Sequence, residues 1–235
     1  MNIIKKPFTV LEGIKTIAIL GDPGCSKSWE KNFPRLLRKV WEDHSPQLFI
    51  VAGDLSYRAR IREYKRILYY MNSVPATWVA VPGDHDRPFI NFYRYFGALR
   101  KVIDVSQWRF IGINTGNRNF KKKDAHWIQK NIRENSIIFS HIPPEIDDWS
   151  FHSLKTKPSN YFLEVIKKNR NELKKMFFGH IHGYSEQTFL DIPMIVTGGV
   201  AQSKVIRDNQ YNDQDYYAMT IFDVKTGHTS FCTIE

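Results

Sequence analysis

The chain has 235 residues, of which 42% are hydrophobic, 14% aromatic and 25% charged, a composition that excludes collagen-like, coiled-coil and disordered proteins. No stretch approaches the roughly 18 uninterrupted apolar residues of a membrane span, so a membrane is not an expected partner. The 34 Lys and Arg residues against 24 Asp and Glu give a net charge of +10, which favours anionic ligands over cationic ones.

The basic residues are spread along the chain without the arginine-rich tail that wraps nucleic acid. We therefore expect phosphate-bearing ligands as a class, which includes nucleic acid without singling it out. The N-terminal residues lack the hydrophobic stretch and cleavage site of a secretory signal. The two cysteines, Cys25 and Cys232, have no metal-ligand spacing, so a disulfide framework is not expected. These features predict a cytoplasmic protein.

Six short runs rich in branched and aromatic residues predict buried strands. In chain order they are 15–20, 47–52, 77–81, 108–113, 136–139 and 174–178. Helical patterns, with apolar residues three and four positions apart, are found at 28–43, 60–72, 124–131 and 161–168. This alternation predicts crossover connections and a mainly parallel sheet with helices on its faces.

The C-terminal part of the chain has a different pattern. Runs at 188–197, 216–224 and 228–234 predict strands joined by turns, with Lys225-Thr226-Gly227 as a hairpin turn. We expect these strands to form an antiparallel addition to the sheet. Because no repeat, low-complexity tract or linker divides the sequence, a single domain over 1–235 is predicted.

Polar residues follow five of the predicted strands at the point where each ends. The strings are Gly21-Asp22-Pro23-Gly24, Gly53-Asp54-Leu55-Ser56-Tyr57, Gly83-Asp84-His85-Asp86, Ser140-His141 and Gly179-His180-Ile181-His182. Any one of them also fits a turn, a helix cap or a hydrogen-bonded core histidine. Ligands of open α/β sheets bind at the carboxyl ends of the strands, so together the strings predict one site. In an extended segment, His180 and His182 would point the same way and could reach two neighbouring metal ions.

The donor atoms in these strings predict a pair of metal ions. Carboxylate, imidazole and phenol donors without a thiolate suit Fe, Mn or Zn. The candidate ligands are Asp22, Asp54, Tyr57, Asp84, His141, His180 and His182. They are too many for one ion, whereas two ions about 3.5 to 4 Å apart, bridged by a carboxylate and a hydroxide, use them all and hold the oxygens of a phosphoryl transfer. Cys25 is either a minor ligand or a small buried apolar residue.

In the same order, the strings resemble the motifs of calcineurin-like metallophosphoesterases, which read DxH, GDxxD, GNH(D/E), H and GHxH. Gly24 and Tyr57 make the first two blocks similar to the GDxG and GDxxY motifs of purple acid phosphatases. The resemblance implies an α/β fold in which a mixed β-sandwich is flanked by helices in four layers. It also implies hydrolysis of a phosphomonoester or phosphodiester by a metal-bound hydroxide. The two ions would be an Fe paired with Fe, Mn or Zn, or a pair of Mn ions.

The resemblance also implies a role for each ligand. Asp22, Tyr57 and His182 would bind one ion, His141 and His180 would bind the other together with Asp84, and Asp54 would bridge the two. Asp84 occupies the position of the family's Asn. The added negative charge is expected to tighten binding of a divalent ion and to weaken its Lewis acidity.

Three further residues are catalytic candidates. His85 corresponds to the family histidine that faces the substrate, and we expect it to contact phosphate or to protonate the leaving oxygen. Asp86 either orients the His85 imidazole or caps the turn. His152 matches an additional substrate-side histidine of purple acid phosphatases. Arg87 and the basic stretch 58–62 are candidates for steering an anionic substrate into the site.

Two alternative functions remain open at this point. Residues 21–28 nearly match the P-loop pattern GxxxxGK[ST], although Ser26 replaces its second glycine and Pro23 removes an amide donor. That alternative leaves the four later strings unexplained. The other alternative is a non-catalytic scaffold with the phosphoesterase fold, for which Gly24 and Asp84 would be signs of a decayed site.

Overall fold

The computed structural model describes residues 2–25, 29–200, 204–207, 210–213 and 216–235. Its strands are β1 Phe8–Leu11, β2 Thr16–Leu20, β3 Leu48–Ala52, β4 Thr77–Val81, β5 Lys101–Val105, β6 Trp108–Gly112, β7 Ser136–Phe139, β8 Leu173–Phe178, β9 Tyr184–Phe189, β10 Ile192–Thr197, β11 Lys204–Arg207, β12 Gln210–Asp213, β13 Tyr217–Asp223 and β14 Thr229–Ile234. Its α-helices are α1 Trp29–His44, α2 Ile61–Met71, α3 Ile90–Phe96, α4 Lys122–Asn131 and α5 Thr156–Lys168. A 3-10 helix spans Asp147–His152.

The strands form two mixed sheets and a separate hairpin of β11 and β12. The larger sheet has the order β1-β5-β6-β7-β8-β10-β9, and the smaller one has the order β14-β13-β2-β3-β4. Strands β2, β3 and β4 are parallel, as are β6, β7 and β8. The prediction of one mainly parallel sheet is therefore wrong in the number of sheets, because the parallel strands are divided between two of them.

The two sheets pack face to face, and helices cover both outer faces. Alternating residues of one strand serve different layers, since successive side chains of a strand point to opposite faces. Ile17 and Ile19 of β2 belong to the core shared with the larger sheet, whereas Ala18 and Leu20 belong to the core under α1, α2 and α3. A third core joins the larger sheet to α4 and α5. This arrangement confirms the four-layer fold.

The C-terminal strands show where local pattern succeeds and fails. The antiparallel pair β13 and β14 confirms the predicted hairpin at Lys225-Thr226-Gly227. The single strand predicted at 188–197 is wrong, because the structure has a hairpin there, with β9 and β10 joined by Leu190 and Asp191. Both turn residues have positive φ, a conformation that sequences usually mark with Gly or Asn.

Two further results concern the helices. No helix in the described part of the chain is both long enough and apolar enough to cross a membrane. The helix predicted at 28–43 is observed as α1, while Ser26, Lys27 and Ser28 of the P-loop alternative lie outside the described residues.

Lys101 is a basic side chain that the fold buries completely. It has no solvent exposure at the start of β5, and its Nζ donates to the carbonyl oxygens of Ile4 at 2.9 Å, Phe96 at 2.9 Å and Lys5 at 3.3 Å. Burial, together with the charge of Lys5, lowers the pKa of Lys101 to about 8. Because the unfolded chain has the ordinary lysine pKa of about 10.4, the folded state holds fewer protons between these two values.

We expect the free energy of unfolding contributed by Lys101 to rise between pH 8 and pH 10.5, by up to about 3 kcal/mol. Lys101→Met removes the titrating group. The natural protein should therefore become more stable relative to this variant as the pH rises over that range. Urea unfolding of both proteins at several pH values measures the difference. A difference that stays constant with pH would contradict the assignment.

Candidate metal centre

The turns that follow β2, β3 and β8 contain site residues with a left-handed backbone. The φ angles are 61° at Asp22, 56° at Asp54, 71° at His180 and 61° at His182. Such conformations cost non-glycine residues about 1–3 kcal/mol each and concentrate at functional sites. The expectation that His180 and His182 lie in an extended segment is wrong, because both follow the end of β8 in left-handed turns.

Glycines let these turns approach one another. A Cβ atom on Gly83 would lie 2.0 Å from Asp54 Oδ1, and one on Gly53 would lie 2.5 Å from His141 Nδ1. A Cβ atom on Gly24 would lie 2.4 Å from the carbonyl oxygen of Leu55. A histidine in place of Gly24, as in the DxH block, would therefore displace the turn that carries Asp54.

The first group of potential ligands contains Asp22, Cys25, Asp54 and His182, whose donor atoms lie within 4.8 Å of one another. Asp22 is fully buried, and both of its carboxylate oxygens accept from the backbone N–H of His180, at 3.1 and 3.0 Å. His182 Nε2 lies 3.6 Å from Asp22 Oδ1. Burial raises the pKa of Asp22 to about 6 with a contribution from Asp54, while His182 and His141 oppose the shift.

The second group contains Asp84, His141 and His180. Asp84 Oδ1 lies 3.1 Å from His141 Nε2 and 3.2 Å from His180 Nδ1. Asp54 Oδ2 lies 3.3 Å from the same His141 Nε2, so Asp54 borders both groups. The strand ends thus bring together every predicted carboxylate and imidazole ligand, with Asp54 between the two groups.

The protonation of His141 tests whether these groups fit cations. Its Nδ1 lies 2.9 Å from the carbonyl oxygen of Ala52, which can only accept, so Nδ1 carries the proton of the neutral ring. The lone pair of Nε2 then faces Asp84, Asp54 and His180. Asp54 Oδ2 itself is buried and has no hydrogen-bond partner among the described residues. Buried acceptors that converge in this way fit divalent cations bound by oxygen and nitrogen.

The pKa values of the histidines and Asp84 reflect burial and the charges gathered around them. Burial opposes a charged His141, but Asp54, Asp84 and Asp22 outweigh burial and hold the pKa of His141 well above its ordinary value. Burial likewise opposes ionised Asp84, but hydrogen bonds from His141 and His180 outweigh it and lower the pKa of Asp84. Burial lowers the pKa of His180 to about 4, so this imidazole is neutral at physiological pH, as a ligand must be.

His85 lies at the edge of the two groups. Its backbone N–H donates to Asp54 Oδ1 at 3.0 Å, and its ring stacks on Tyr57 with centroids 5.4 Å apart. His85 Nδ1 lies 2.9 Å from the carbonyl oxygen of Tyr57 and therefore carries a proton. Nε2 has no hydrogen-bond partner among the described residues, which leaves it to meet a substrate.

Asp86 caps and joins turns, which is one of its two predicted roles. The other predicted role, orienting the His85 imidazole, is wrong. Its carboxylate accepts from the backbone of Gly83 at 2.9 Å and Leu55 at 3.2 Å, and from the hydroxyls of Ser56 at 2.9 Å and Tyr64 at 3.1 Å. The His85 ring is held by Tyr57 instead. Asp86 thus joins the turn that carries Asp54 to the turn that carries Asp84. Burial, with a contribution from Asp54, raises the pKa of Asp86 to about 7.

The two remaining candidates contact the site through other residues. The His152 ring stacks on His180 at 4.2 Å, and its Nε2 donates to the His180 carbonyl oxygen at 3.1 Å. Burial is the main cause that lowers the pKa of His152 to about 3. The Tyr57 ring contacts His85 and the Arg58 guanidinium. A substrate-side role for His152 and a ligand role for Tyr57 stay predictions.

The first turn does not form a phosphate-binding cradle. The amide of Asp22 donates to the carbonyl oxygen of Gly53 at 3.1 Å, and that of Gly24 donates to the carbonyl oxygen of Asp54 at 2.9 Å. A P-loop needs such amides free to bind phosphate. In the described part of the motif, these amides instead hold the turn against the neighbouring one, which argues against the P-loop alternative.

Arg118 is a site residue that the sequence reasoning missed. Its Nη2 and Nε donate to Asp84 Oδ2 at 2.6 and 3.1 Å, while Asp84 Oδ1 faces His141 and His180. Arg118 therefore offsets the negative charge that Asp84 adds in place of the family's Asn. It follows β6, and the rule that ligands gather at strand ends would have found it if applied to the segment after the predicted strand 108–113.

We expect Arg118→Gln to tighten binding of Mn²⁺ beside Asp84, because the variant removes a positive charge and frees Asp84 Oδ2. Since more than half of the Arg118 side chain is exposed, solvent limits the effect to about 1 kcal/mol, or about fivefold in affinity. Calorimetric titration of metal-free protein with Mn²⁺ measures it, with Arg133→Gln as a control. Unchanged or weaker binding would contradict a charge-offsetting role.

Residues 15–184 match the family model described as Calcineurin-like phosphoesterase. The chain is 23% identical over 171 residues to a probable cyclic nucleotide phosphodiesterase of Synechococcus sp. and 21% identical over 183 residues to a 3′,5′-cyclic-nucleotide phosphodiesterase of Nostoc sp.. These alignments cover 65% and 66% of this chain, and 66% and 63% of the relatives.

Solved structures share the fold at low identity. A dimetal phosphatase from Danio rerio has a TM-score of 0.64 at 13% identity, with 94% of this chain and 98% of that chain covered. GAP50, described as the anchor in the inner membrane complex of Plasmodium, has a TM-score of 0.65 at 14% identity, with 94% and 89% covered. The family match spans most of the sequence and includes all five strand-end turns, and the chain therefore belongs to the calcineurin-like phosphoesterase family.

Proposed function

We propose that this protein is a phosphoesterase that depends on two metal ions and cleaves phosphodiesters. The observation that carries the proposal is the position of Asp54, a buried carboxylate that borders both ligand groups and has one oxygen without a hydrogen-bond partner among the described residues. A carboxylate in that position suits the bridge of a two-metal site, in which the ions supply an activated water and neutralise charge on the phosphate.

The chain's own residues supply the rest of the chemistry. Asp22 and His182 would hold one ion, Asp84, His141 and His180 the other, and Asp54 both. His85 has a protonated Nδ1 bound to Tyr57, so a second proton on Nε2 is placed to reach a leaving oxygen at the edge of the site. Asp86 keeps His85 and Asp54 at a fixed separation, because it is bonded to both of their turns.

The preference for diesters rests on the relatives. Both curated relatives are named as cyclic nucleotide phosphodiesterases, and their alignments with this chain cover about two thirds of each protein. The cluster geometry itself suits monoesters equally well, so the relatives decide which ester class we propose. Fe, Mn and Zn all suit the donors. A Tyr57 phenolate on Fe(III) would give the iron-loaded protein a visible colour.

The test is hydrolysis by protein stripped of metal and then reloaded. We expect no hydrolysis of bis-4-nitrophenyl phosphate by the chelator-treated protein, recovery with Mn²⁺, Zn²⁺ or Fe²⁺, and slower hydrolysis of 4-nitrophenyl phosphate. Faster cleavage of the monoester would overturn the diester preference. A reloaded protein that binds two ions and hydrolyses neither ester would favour the non-catalytic scaffold, the second candidate, whose fold is shared by the GAP50 anchor.

A further inference from the structure

A groove lined by arginines adjoins the candidate site on the side of His85. It has a volume of about 480 Å³, and its cationic lining consists of Arg58, Arg60, Arg62 and Arg66, which we call the arginine groove. Tyr57 also lines it and stacks on the His85 ring at 5.4 Å, so the groove begins one aromatic ring away from His85. A ligand that reaches from His85 past Tyr57 therefore enters the groove.

Two carboxylates, Glu30 and Glu63, line the groove with the four arginines and leave it a net charge of +2. Glu30 is paired with Arg66. Glu63 Oε2 accepts from the backbone N–H groups of Arg58 at 2.9 Å and Arg60 at 3.2 Å, so this carboxylate is engaged at the start of α2. In the described part of the chain, the guanidinium groups of Arg58, Arg60 and Arg62 have no carboxylate partner.

Guanidinium groups bind phosphate through paired, charge-assisted hydrogen bonds, and a groove with several of them favours a phosphate over a neutral group. The leaving oxygen of the proposed reaction lies at His85, so the groove receives the part of the substrate attached to that oxygen. We propose that the arginine groove binds a second phosphate group carried by the leaving group of the substrate. The preferred substrate is then a phosphodiester with a further phosphate, such as a short phosphorylated oligonucleotide. This inference rests on the proposed function.

The experiment compares the thymidine dinucleotide TpT with its terminally phosphorylated forms pTpT and TpTp, using the Mn²⁺-loaded protein. We expect at least one phosphorylated form to be cleaved with a kcat/KM about tenfold above that of TpT, through a lower KM, since hydrogen bonds between exposed charged groups have an effect of that size. Arg58→Gln combined with Arg62→Gln should abolish the preference for the phosphorylated dinucleotide. Added salt should also weaken the preference, because exposed charges are screened.

The matched control also removes two positive charges, at the end of β8 that lies opposite the candidate site. Arg170 and Lys174 are exposed next to the start of β8, whereas His180 follows its end. Arg170→Gln combined with Lys174→Gln should keep the preference for the phosphorylated dinucleotide. Equal kcat/KM values for all three dinucleotides in the natural protein would overturn the inference and leave the proposed function intact. An equal loss of the preference in both double variants would do the same.

A binding measurement separates the two proposals if no dinucleotide is cleaved. Thymidine 3′,5′-bisphosphate, titrated calorimetrically into the Mn²⁺-loaded protein, should bind about tenfold more tightly than thymidine 5′-monophosphate, and the Arg58/Arg62 variant should remove the difference. Such binding without hydrolysis would overturn the proposed function alone. Equal affinities for the two ligands would overturn the groove inference.

Discussion

Asp54→Asn should abolish most phosphoesterase activity and lower the metal content of the protein. Asp54 lies between the two ligand groups, and the variant replaces a charged oxygen that faces His141 at 3.3 Å with a neutral amide. Substituting residues that only support metal ligands lowers metal affinity or activity by about 10- to 100-fold, and a direct ligand should matter more. We therefore expect kcat/KM to fall by more than about a hundredfold, with fewer than two ions per chain by elemental analysis.

The same variant should also lower the stability of the metal-free protein. Burial opposes an ionised Asp54, but the attraction of His141, which lies 3.3 Å from the carboxylate, outweighs burial and holds the pKa of Asp54 below its ordinary value, so the ionised carboxylate stabilises the fold. The substitution removes that attraction along with the smaller repulsion between Asp54 and Asp22. Thermal unfolding of the metal-free variant is therefore expected below the temperature of the natural protein. Asp43→Asn, at an exposed position of α1, serves as the control. Full metal content and activity in Asp54→Asn would contradict the bridging role.

His85→Ala should slow hydrolysis in a way that depends on the leaving group. A positioned general acid contributes about 10²- to 10⁴-fold when the leaving oxygen needs a proton. An alkoxide needs that proton, whereas 4-nitrophenolate leaves without one. We expect a loss of at least about a hundredfold on a dinucleotide and a much smaller loss on bis-4-nitrophenyl phosphate, both measured with Mn²⁺-loaded protein.

Metal content distinguishes this effect from damage to the site. The imidazole of His85 contacts Tyr57, and only its backbone N–H contacts Asp54, so the variant should keep both ions. His126→Ala, on the exposed face of α4, is the matched control and should behave like the natural protein. Equal losses on both substrates, or loss of an ion, would contradict the general-acid role.

The candidate ligands were predictable because strand ends carry a strong local signal. Asp22, Asp54 and Asp84 each follow a buried run of branched residues, and their neighbouring glycines mark tight turns. The predictions required only that such turns meet at one end of the fold. The number of sheets was not predictable from these runs, since buried parallel strands look alike whichever sheet they join.

Other features depend on long-range contacts that leave no local signal. The role of Asp86 is set by Ser56 and Tyr64, which are distant in sequence, and nothing beside Asp86 marks those partners. Leu190 adopts positive φ without being Gly or Asn, so the sequence pattern predicts one strand where the structure has a hairpin. Arg118 reaches Asp84 across 34 positions of sequence.

The proposed phosphoesterase activity requires that the turns after β2, β3, β4, β7 and β8 hold a pair of ions. The most direct measurement is an anomalous difference map from a crystal of the Mn²⁺-loaded protein. We predict two peaks on either side of Asp54, one next to Asp22 and His182 and the other next to Asp84, His141 and His180. A single peak, or peaks away from these side chains, would contradict the two-metal site.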